Sequence, residues 1–400
     1  MSKHIDTDLL IVGGGLIGAT LMHMLAPTGI RCLLVDNKPL PTSADTGFDT
    51  RSVALSAASV RILKSIDVWS SFISHAFPIH KIHVSEQGRF GTACFDSQSE
   101  EPLGYVIDIQ ILMYVLYQNL ASNTLLIPST LIGFDDVQCI ATVQLGVEQV
   151  TIKAKLVVAA DGSHSLMRSL CQLSAQIKDY GQHALVTNIG LSRPHQNIAY
   201  ERFTSSGPLA LLPLGPKRMA LVWSLFPEEA KWLLAVEEAV FLKTLMEAFG
   251  YRLGRLIHVG KRHSYPLQYM FMPQQTKGSV VFIGNAAHTL HPVAAQGFNL
   301  GLRDAAILAQ IIVQKGLDNT TLLEEYQALR QYDHHAITNF TDFLIKIYTN
   351  QRRDVSLLRQ LGLLIFDNHA LLKQILSRHA SGFAGHVADV ICGIPLREKI

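Results

Sequence analysis

A glycine-rich turn near the N-terminus constrains the fold of this 400-residue chain more than any other feature. A short apolar strand at residues 8–12 leads into the run GGGLIG at residues 13–18, and a helical stretch and a second apolar strand follow. That second strand ends in Asp36, which lies 18 positions after the last glycine of the run. A spacing of about twenty residues is typical of dinucleotide-binding βαβ units. The order of these features therefore predicts a Rossmann-like nucleotide site rather than a purely structural turn.

The residue types of this N-terminal turn indicate how a dinucleotide would be held. Glycines allow a tight turn and a close approach to a pyrophosphate, while an acid after the second strand can accept a hydrogen bond from a ribose hydroxyl. The turn alone does not distinguish FAD from NAD. The candidate cofactor-binding residues of this region are Gly13, Gly15, Leu16, Ile17, Gly18, Asp36 and Asn37.

A second glycine-bearing stretch, the late loop at residues 284–299, lies near the other end of the chain. The apolar run at residues 280–283 predicts a strand buried on both faces, and a predicted helix opens at residues 296–299. Free N–H groups and the helix dipole make such a helix start attractive to an anionic ligand. The candidate cofactor-binding residues here are Gly284, Asn285, Pro292, Gln296, Gly297, Phe298 and Asn299.

The sequence allows two interpretations for each of two polar residues between these stretches. Arg51 precedes a predicted helix, and it either contacts a cofactor or substrate or is a solvated surface charge. Gln110 lies on a helix predicted for residues 106–120, where a cofactor contact and a surface position are about equally expected.

The middle of the chain contains a third candidate nucleotide-binding segment. A predicted buried strand at residues 155–160 ends in Asp161-Gly162, and a helix bearing Arg168 follows. Asp161 could orient a loop or a bound group, with Arg168 as its ion-pair partner. The alternative is a plain type I turn followed by a helix N-cap.

Composition and charge limit the classes of function. Hydrophobic residues make up 48% of the chain and charged residues 16%, enough for a large core in one domain or two joined domains. No apolar run approaches the length of about eighteen residues that a membrane-spanning helix needs, so none is expected. The net charge of +2 gives no signal for nucleic-acid binding. Five scattered cysteines without CxxC pairs favour a reducing compartment, and a cytoplasmic location is expected.

Taken together, these motifs resemble those of class A flavoprotein aromatic monooxygenases of the para-hydroxybenzoate hydroxylase type. The chain is more similar still to the ubiquinone-biosynthesis hydroxylases, over nearly its whole length. The likeness rests on residues 13–18, on Asp161-Gly162, and on the runs GNAAH at 284–288 and PVAAQG at 292–297. Asn285 replaces the family's usual aspartate, as in the 2-polyprenyl-6-methoxyphenol hydroxylase branch. Ala295 replaces a glycine, at a cost of about 1–2 kcal/mol if this position needs a positive φ.

The resemblance implies an FAD-dependent enzyme that uses NADPH or NADH, which binds without a Rossmann domain of its own. It implies that a flavin C4a-hydroperoxide transfers OH from O₂ to the ring of a polyprenylated phenol in ubiquinone biosynthesis. The expected catalytic residues are Arg51, His288 and Pro292. The base that activates the phenol stays open among His288, His291, Tyr200 and Tyr265. His288 and His291 could also be a metal pair, but with no third ligand apparent we predict no metal site.

The expected fold class is α/β (α+β overall), with an FAD/NAD(P)-binding Rossmann-like GR2 fold, an antiparallel-sheet substrate domain and a C-terminal helical segment. The predicted boundaries are residues 1–75, 101–178 and 276–350 for a discontinuous FAD-binding domain, 76–100 and 179–275 for the substrate domain, and 351–400 for the helical segment.

The helical segment and the partners have alternatives of their own. An amphipathic helix predicted for residues 354–378 either packs on the FAD-binding domain, which we favour, or contacts a membrane surface or partner. Other ubiquinone-biosynthesis proteins, the inner face of the membrane and a second copy of the chain are the partners considered. The alternative functions are another FAD oxidoreductase, such as a prenyl-lipid reductase or epoxidase, and a non-catalytic FAD-binding member of a biosynthetic complex.

Overall fold

The computed structural model describes residues 3–43, 47–97, 101–349, 353–369, 381–383, 387–394 and 396. The strands are β1 (Lys3–Val12), β2 (Cys32–Val35), β3 (Ser52–Ser56), β4 (Phe77–Ile79), β5 (Lys81–Glu86), β6 (Thr92–Asp96), β7 (Gly104–Asp108), β8 (Leu125–Leu126), β9 (Thr130–Asp135), β10 (Ile140–Leu145), β11 (Glu148–Ala159), β12 (Gln176–Leu191), β13 (Ile198–Phe203), β14 (Pro208–Gly215), β15 (Arg218–Leu225), β16 (Leu256–Val259), β17 (His263–Phe271), β18 (Thr276–Lys277), β19 (Val280–Phe282) and β20 (His288–Thr289). The α-helices are α1 (Leu16–Leu25), α2 (Ala57–Ser65), α3 (Ile109–Gln118), α4 (Leu166–Leu170), α5 (Pro227–Ala235), α6 (Glu238–Phe249), α7 (Gln296–Lys315), α8 (Leu322–Thr349) and α9 (Arg353–Asn368).

A mostly parallel sheet carries the N-terminal turn, in the strand order β18-β19-β11-β1-β2-β8. The central strand β1 pairs in parallel with β11 and β2, and β11 pairs in parallel with β19. Val12 and Ala159 are register partners, Ala159 is also the partner of Phe282, and Val12 that of Val35. The carboxyl ends of these four strands are therefore aligned, and the loops that follow them meet at one edge of the sheet.

Helix α7 packs against both the late loop and helix α1, which follows the N-terminal turn. The helix is buried along most of its length, from Asn299 to Ile312. A Cβ atom added to Gly301 would lie 3.0 Å from the Gly284 Cα atom and 3.0 Å from the Ile17 Cδ1 atom. Glycine is needed at residue 301 because the late loop and α1 approach the helix this closely.

A second sheet has the order β20-β17-β12-β15-β14-β13-β5-β6, with β16 beside β12. Helices α5 and α6 cover one face, which we call the outer face, through a cluster that includes Leu185, Leu221 and Phe241. Side chains alternate along each strand, so even-numbered residues of β12 lie on the opposite, inner face. From there Asn188 Nδ2 donates to the carbonyl oxygens of Phe48 and Thr50, at 2.6 and 2.7 Å. The inner face is thus turned toward the parallel sheet and its loops.

Two predicted helices begin later than expected. Arg51 precedes strand β3 and not a helix, and the helix predicted for residues 106–120 begins only at Ile109. The cause is long-range pairing, because β3 and β7 are antiparallel register partners from Ser52↔Asp108 to Ser56↔Gly104. Tertiary pairing outweighs the helical spacing of apolar residues at both places.

The C-terminal helix does not pack where we expected. Helix α9 lies against β6, and Gln360 Oε1 accepts a hydrogen bond from Gly91 N at 2.6 Å. Arg359 Nη2 also donates to Glu86 Oε1 at 2.6 Å. The expectation of packing on the FAD-binding domain is therefore wrong for α9, since these hydrogen bonds join it to the second sheet. Residues 370–378 of the predicted helix lie outside the described residues. In the part of the chain that the structure describes, no helix is both long and apolar enough to cross a bilayer.

Candidate cofactor and substrate site

The N-terminal turn leaves a helix start open to solvent. Gly13 has φ +109°, and an added Cβ there would collide with the Ala160 carbonyl group. A Cβ on Gly18 would collide with the Gly13 carbonyl oxygen. Around the Cβ position of Gly15, by contrast, no atom of the described chain lies within 4 Å, and no side chain caps α1 there. This uncapped helix start fits a pyrophosphate.

Asp36 braces the turn. Its Oδ2 accepts a hydrogen bond from Gly14 N at 2.6 Å, and its Oδ1 accepts one from Lys38 N at 2.7 Å. A carboxylate oxygen has a second lone pair, so both oxygens can still accept from a ribose. Tyr117 Oη donates to Gly14 O at 2.6 Å. Sequence reasoning missed Tyr117, because a tyrosine on an apolar helix has no motif that points to a turn 103 residues away.

The segment around Asp161 joins the same edge. Asp161 Oδ2 accepts from Met167 N at 3.0 Å, while Oδ1 is buried without a hydrogen-bond partner among the described residues. Burial raises the pKa of Asp161, against the lowering effect of its hydrogen bonds to Ser165 and Met167. Gly162 has φ +84°, which glycine adopts without strain. A buried oxygen without a partner, at the carboxyl end of a parallel strand, fits a polar group of a bound ligand.

Arg168 does not pair with Asp161 as we had expected. Its Nη2 donates to Ser163 O at 2.8 Å, and its Nη1 donates to Ala286 O at 3.1 Å. The Ser165 side chain accepts from Arg168 N at 3.0 Å and caps α4, as the alternative interpretation required. Arg168 therefore ties the middle segment to the late loop.

The late loop presents one exposed polar side chain. Gly284 has φ +58°, and its N–H donates to Asp304 Oδ2 at 3.0 Å. Asn285 is exposed between buried residues, so its amide can donate to or accept from a ligand at the strand ends. The side chain of Gln296 is buried at the start of α7, and Gly297 has open space around its Cβ position as far as the described residues go.

Ala295 lies in the left-handed region, with φ +50° and ψ +37°, directly before α7. The condition for a steric cost at this position is therefore met, because the residue that replaces glycine has a positive φ. The side chain of Asn299 supports it, because Nδ2 donates to Ala295 O at 2.7 Å and to Ala54 O at 3.0 Å. Asn299 Oδ1 accepts from Ser56 N and Ser59 Oγ, at 2.9 and 2.7 Å. These four bonds use the full capacity of the amide, so the side chain braces the helix start and has nothing left for a cofactor.

The remaining candidates differ in accessibility. Leu16 and Phe298 are partly buried and pack on the same apolar cluster, while Asn37 and Gln110 are exposed. Arg51 is also exposed, and its guanidinium carbon lies 5.3 Å from the ring centroid of Tyr265. Ile109 N donates to Arg51 O at 2.9 Å, which makes Arg51 and Gln110 neighbours.

His288 lies in a buried charged network. Its Nε2 is 2.6 Å from Asp304 Oδ2, and His334 Nε2 and Arg330 Nε are each 2.7 Å from Asp304 Oδ1. Burial opposes ionisation of Asp304, but His334, His288 and Arg330 together hold its pKa well below the ordinary value. The side chain of His288 is 1% exposed, so its position does not support the predicted catalytic role.

The same network resembles a metal site only in its distances. The ligand atoms of His288, Asp304 and His334 lie within 4.8 Å of one another. The Arg330 guanidinium already contacts the Asp304 carboxylate, and it would repel a second cation there. Arg330 Nη1 and Arg303 Nε also contact Asp333 Oδ2, at 2.7 and 2.9 Å. Two arginines thus face two aspartates, which balances the charge of the network.

Of the other residues considered as a base, two are poorly placed. Tyr200 belongs to the outer face and packs edge-on against Phe249 of α6, with ring centroids 5.3 Å apart. His291 is 1% exposed, its Nδ1 accepts from Val293 N at 3.2 Å, and burial lowers its pKa to about 4. Only Tyr265 of this set lies on the inner face and is exposed. Pro292 directly precedes the short 3-10 helix Val293–Ala295 of the late loop.

Comparisons with known proteins agree with this geometry. Residues 6–341 match the family model described as FAD binding domain. The chain is 34% identical to the ubiquinone hydroxylase UbiL of Rhodospirillum rubrum, over 94% of this chain and 89% of that protein. It is 29% identical to the 3-demethoxyubiquinol 3-hydroxylase of Escherichia coli, over 94% of this chain and 98% of that protein.

A solved structure shows the same fold. The p-nitrophenol 4-monooxygenase PnpA from Pseudomonas putida superposes with a TM-score of 0.79 at 16% identity, covering 96% of this chain and 99% of that one. The chain therefore belongs to the FAD-dependent monooxygenase family that includes the ubiquinone-biosynthesis hydroxylases.

Proposed function

We propose that this protein hydroxylates the aromatic ring of a polyprenylated phenol in ubiquinone biosynthesis, with FAD, O₂ and NADPH or NADH. The observation that carries the proposal is the meeting of two uncapped helix starts, those of α1 and α7, at one edge of the parallel sheet. Helix starts of this kind stabilise anionic groups, such as a pyrophosphate and a reduced flavin ring.

Residues of this chain would hold FAD along that edge. The α1 start at Gly15 would bind the pyrophosphate and Asp36 the adenosine ribose. Asn285, Pro292 and the α7 start would lie along the flavin end. Once bound and reduced by NAD(P)H, FAD supplies the activated oxygen atom. The protein orients the ring of the phenol and excludes water.

The inner face supplies an apolar surface for such a substrate. Ala210, Val222 and Val186 are successive register partners across β14, β15 and β12, and they share this face. A surface of small and apolar side chains suits a ring with a hydrocarbon tail. Arg51, stacked on Tyr265, lies on the same side of the sheet.

The finer assignments follow from the chemistry of the substrate. A polyprenyl chain partitions into the bilayer, so we place the protein in the cytoplasm, in peripheral contact with the inner face of the membrane. Flotation with liposomes should decide whether residues 352–400 carry this contact. Equal flotation of the full and the shortened chain would exclude them. Other ubiquinone-biosynthesis proteins and a second copy are the protein partners to be sought.

One experiment tests the activity itself. A strain that lacks the gene should accumulate a prenylated precursor that has one hydroxyl group fewer than the product of this step. The purified yellow protein should hydroxylate this precursor when it is supplied with NADPH and ¹⁸O₂. A product heavier by one ¹⁸O atom is expected. NADPH oxidation with a reduced product that contains no ¹⁸O would instead indicate a prenyl-lipid reductase. A colourless protein that takes up no FAD would indicate a non-catalytic member of a complex.

A further inference from the structure

Glu201 lies on the inner face of the second sheet. It belongs to β13, whose side chains alternate between the two faces. Tyr200 packs in the outer cluster, whereas Ala199 and Phe203 belong to clusters on the other side. Glu201 therefore points in the same direction as Ala199 and Phe203.

The surroundings of Glu201 connect it to the late loop. Phe203, two residues further along the same face, packs in one cluster with Val293, the residue after Pro292. The direct register partners of Glu201 are Ala210 on β14 and Val84 on β5, both apolar. Glu201 is thus a carboxyl group flanked by apolar register partners, on a face that adjoins the loop expected beside the flavin.

The carboxyl group has no partner of its own. Its Oε1 atom is buried, and no hydrogen bond or ion pair to Glu201 exists among the described residues. Two acids beside the cluster of Phe203 and Val293 are already paired, Glu86 with Arg359 and Asp342 with Tyr180 and Lys178. His83 on β5 and Arg202 on β13 itself belong to the outer face. Burial alone raises the pKa of Glu201 to about 7. A carboxyl group with a buried, unpaired oxygen is costly to retain, which points to a role in function.

We propose that Glu201 is the general base that activates the phenol, an inference that rests on the proposed hydroxylation. The phenol O–H bond breaks, the proton passes to a carboxylate oxygen of Glu201, and the electron pair stays on the phenolate oxygen. The phenolate then donates electron density to the ring carbon that receives the hydroxyl group. The hydroxylated carbon then loses its C–H proton and the phenol oxygen regains a proton, while the carboxyl group returns the proton it accepted to solvent after product release.

Three of the four other candidates are poorly placed to act as the base. His291 and His288 are sealed from solvent, and Tyr200 points to the outer face. A base works best when its pKa is close to the working pH, because it is then ionised and still accepts a proton well. Among the candidates considered, Glu201 combines such a pKa with a position on the inner face.

The test compares Glu201→Gln and Glu201→Asp with the wild-type holoenzyme and with Glu228→Gln, an exposed glutamate on α5. We expect Glu201→Gln to lose about 10²–10⁴-fold in the rate of phenol hydroxylation. Its FAD content and its rate of flavin reduction by NADPH should match the wild type, with H₂O₂ released instead of product. Glu201→Asp should keep part of the activity, and Glu228→Gln all of it. The wild-type rate should rise with pH through about 7, and this step should be absent in Glu201→Gln.

A series of ring-fluorinated substrates separates a base from a structural residue. Fluorination makes the phenol more acidic, so the loss in Glu201→Gln should shrink along the series. An equal loss for all substrates, or a loss of FAD from both variants, would assign Glu201 a structural role and overturn the inference. Unchanged hydroxylation in Glu201→Gln would overturn it too, while leaving the proposed function intact. A wild-type protein that hydroxylates no phenol would overturn both.

Discussion

The two helix starts at the edge of the parallel sheet are held in different ways. The α1 start depends on glycines that are adjacent in sequence, with Asp36 and Tyr117 as braces. The α7 start has an alanine in the left-handed region, and Asn299 and the Asp304 network hold it in place. The first is specified by local backbone requirements and the second by long-range polar contacts. The first can therefore be identified in a sequence, whereas the second depends on partners that only the fold brings together.

Removing the charge of Asp304 should have the largest effect. Asp304→Asn leaves Arg330 buried with one carboxylate partner fewer, and breaking a buried ion pair costs about 3–5 kcal/mol. We expect a loss of this size in the free energy of unfolding, measured in urea, together with loss of FAD. Asp318→Asn alters an exposed ion pair with Lys155, so its free energy of unfolding and its FAD content should stay close to those of the wild type. Equal unfolding curves for both variants would show that the network does not hold the late loop.

Lowering the pH should reduce the free energy of unfolding, because His334 is buried in its neutral form beside α7. Burial lowers the pKa of His334 to about 4 from 6.5, against the raising effect of Asp304, so the folded protein keeps this residue neutral. The unfolded chain binds a proton below pH 6.5, so stability is lost as the pH falls from about 6.5 to about 4, by at most about 1.4 kcal/mol per pH unit. His334→Gln should make this slope shallower by the share of one proton, while His291 and His83, whose pKa values are also lowered to about 4, keep theirs. Amide exchange should show α7 opening first, and a slope that is unchanged in the variant would contradict the contribution of His334.

The N-terminal turn should separate stability from binding. Gly13→Ala forces a side chain into the left-handed region and against the Ala160 carbonyl group, at a cost of about 1–3 kcal/mol. Gly15→Ala meets no described atom within 4 Å, so its stability should stay within about 0.5 kcal/mol of the wild type. Its methyl group would still occupy the expected position of the pyrophosphate. Thermal unfolding measures the change in stability, and the amount of FAD bound per chain measures the change in binding. Normal FAD binding by Gly15→Ala would show that the pyrophosphate does not bind at Gly15.

The smallest effect should come from Ala295. Ala295→Gly relieves a left-handed alanine, which should stabilise the protein by about 1 kcal/mol. The same substitution in the middle of α7, Ala305→Gly, should destabilise it by at least about 1 kcal/mol. Urea unfolding of the two variants should therefore give changes of opposite sign. Changes of the same sign would mean that the polar contacts around Ala295 already absorb the strain.

Local signals in the sequence were sufficient for part of the fold and site. The N-terminal turn, the strand end at Asp161 with its capped helix, and strand β19 lie where the residues predicted them. Glycines at fixed spacing and uninterrupted apolar runs carry this information in one short segment.

Other features depend on contacts between distant segments. The partner of Arg168, the strand after Arg51 and the packing of α9 are set by residues far away in sequence. The isolation of His288 likewise depends on Asp304 and His334. The sequence holds a single weak signal for Glu201, namely an acid that alternates with Ala199 and Phe203 on one side of β13. It becomes informative only when the sheet shows which face is inward.

The pairing of β19 with β11 has a consequence for biosynthesis. Strand β11 ends at Ala159, but its outer neighbour is made more than a hundred residues later, at Val280–Phe282. During translation the edge of β11 at Val157–Ala159 stays unpaired until that segment leaves the ribosome, and such edges invite aggregation. The late loop, which we propose to hold the flavin end of FAD, follows directly, so a nascent chain could bind FAD only after about three quarters of it has been synthesised. FAD binding would therefore require that the segment at Val280–Phe282 and the late loop have been made. Chains that are truncated before this segment should aggregate and lack the yellow colour of bound flavin.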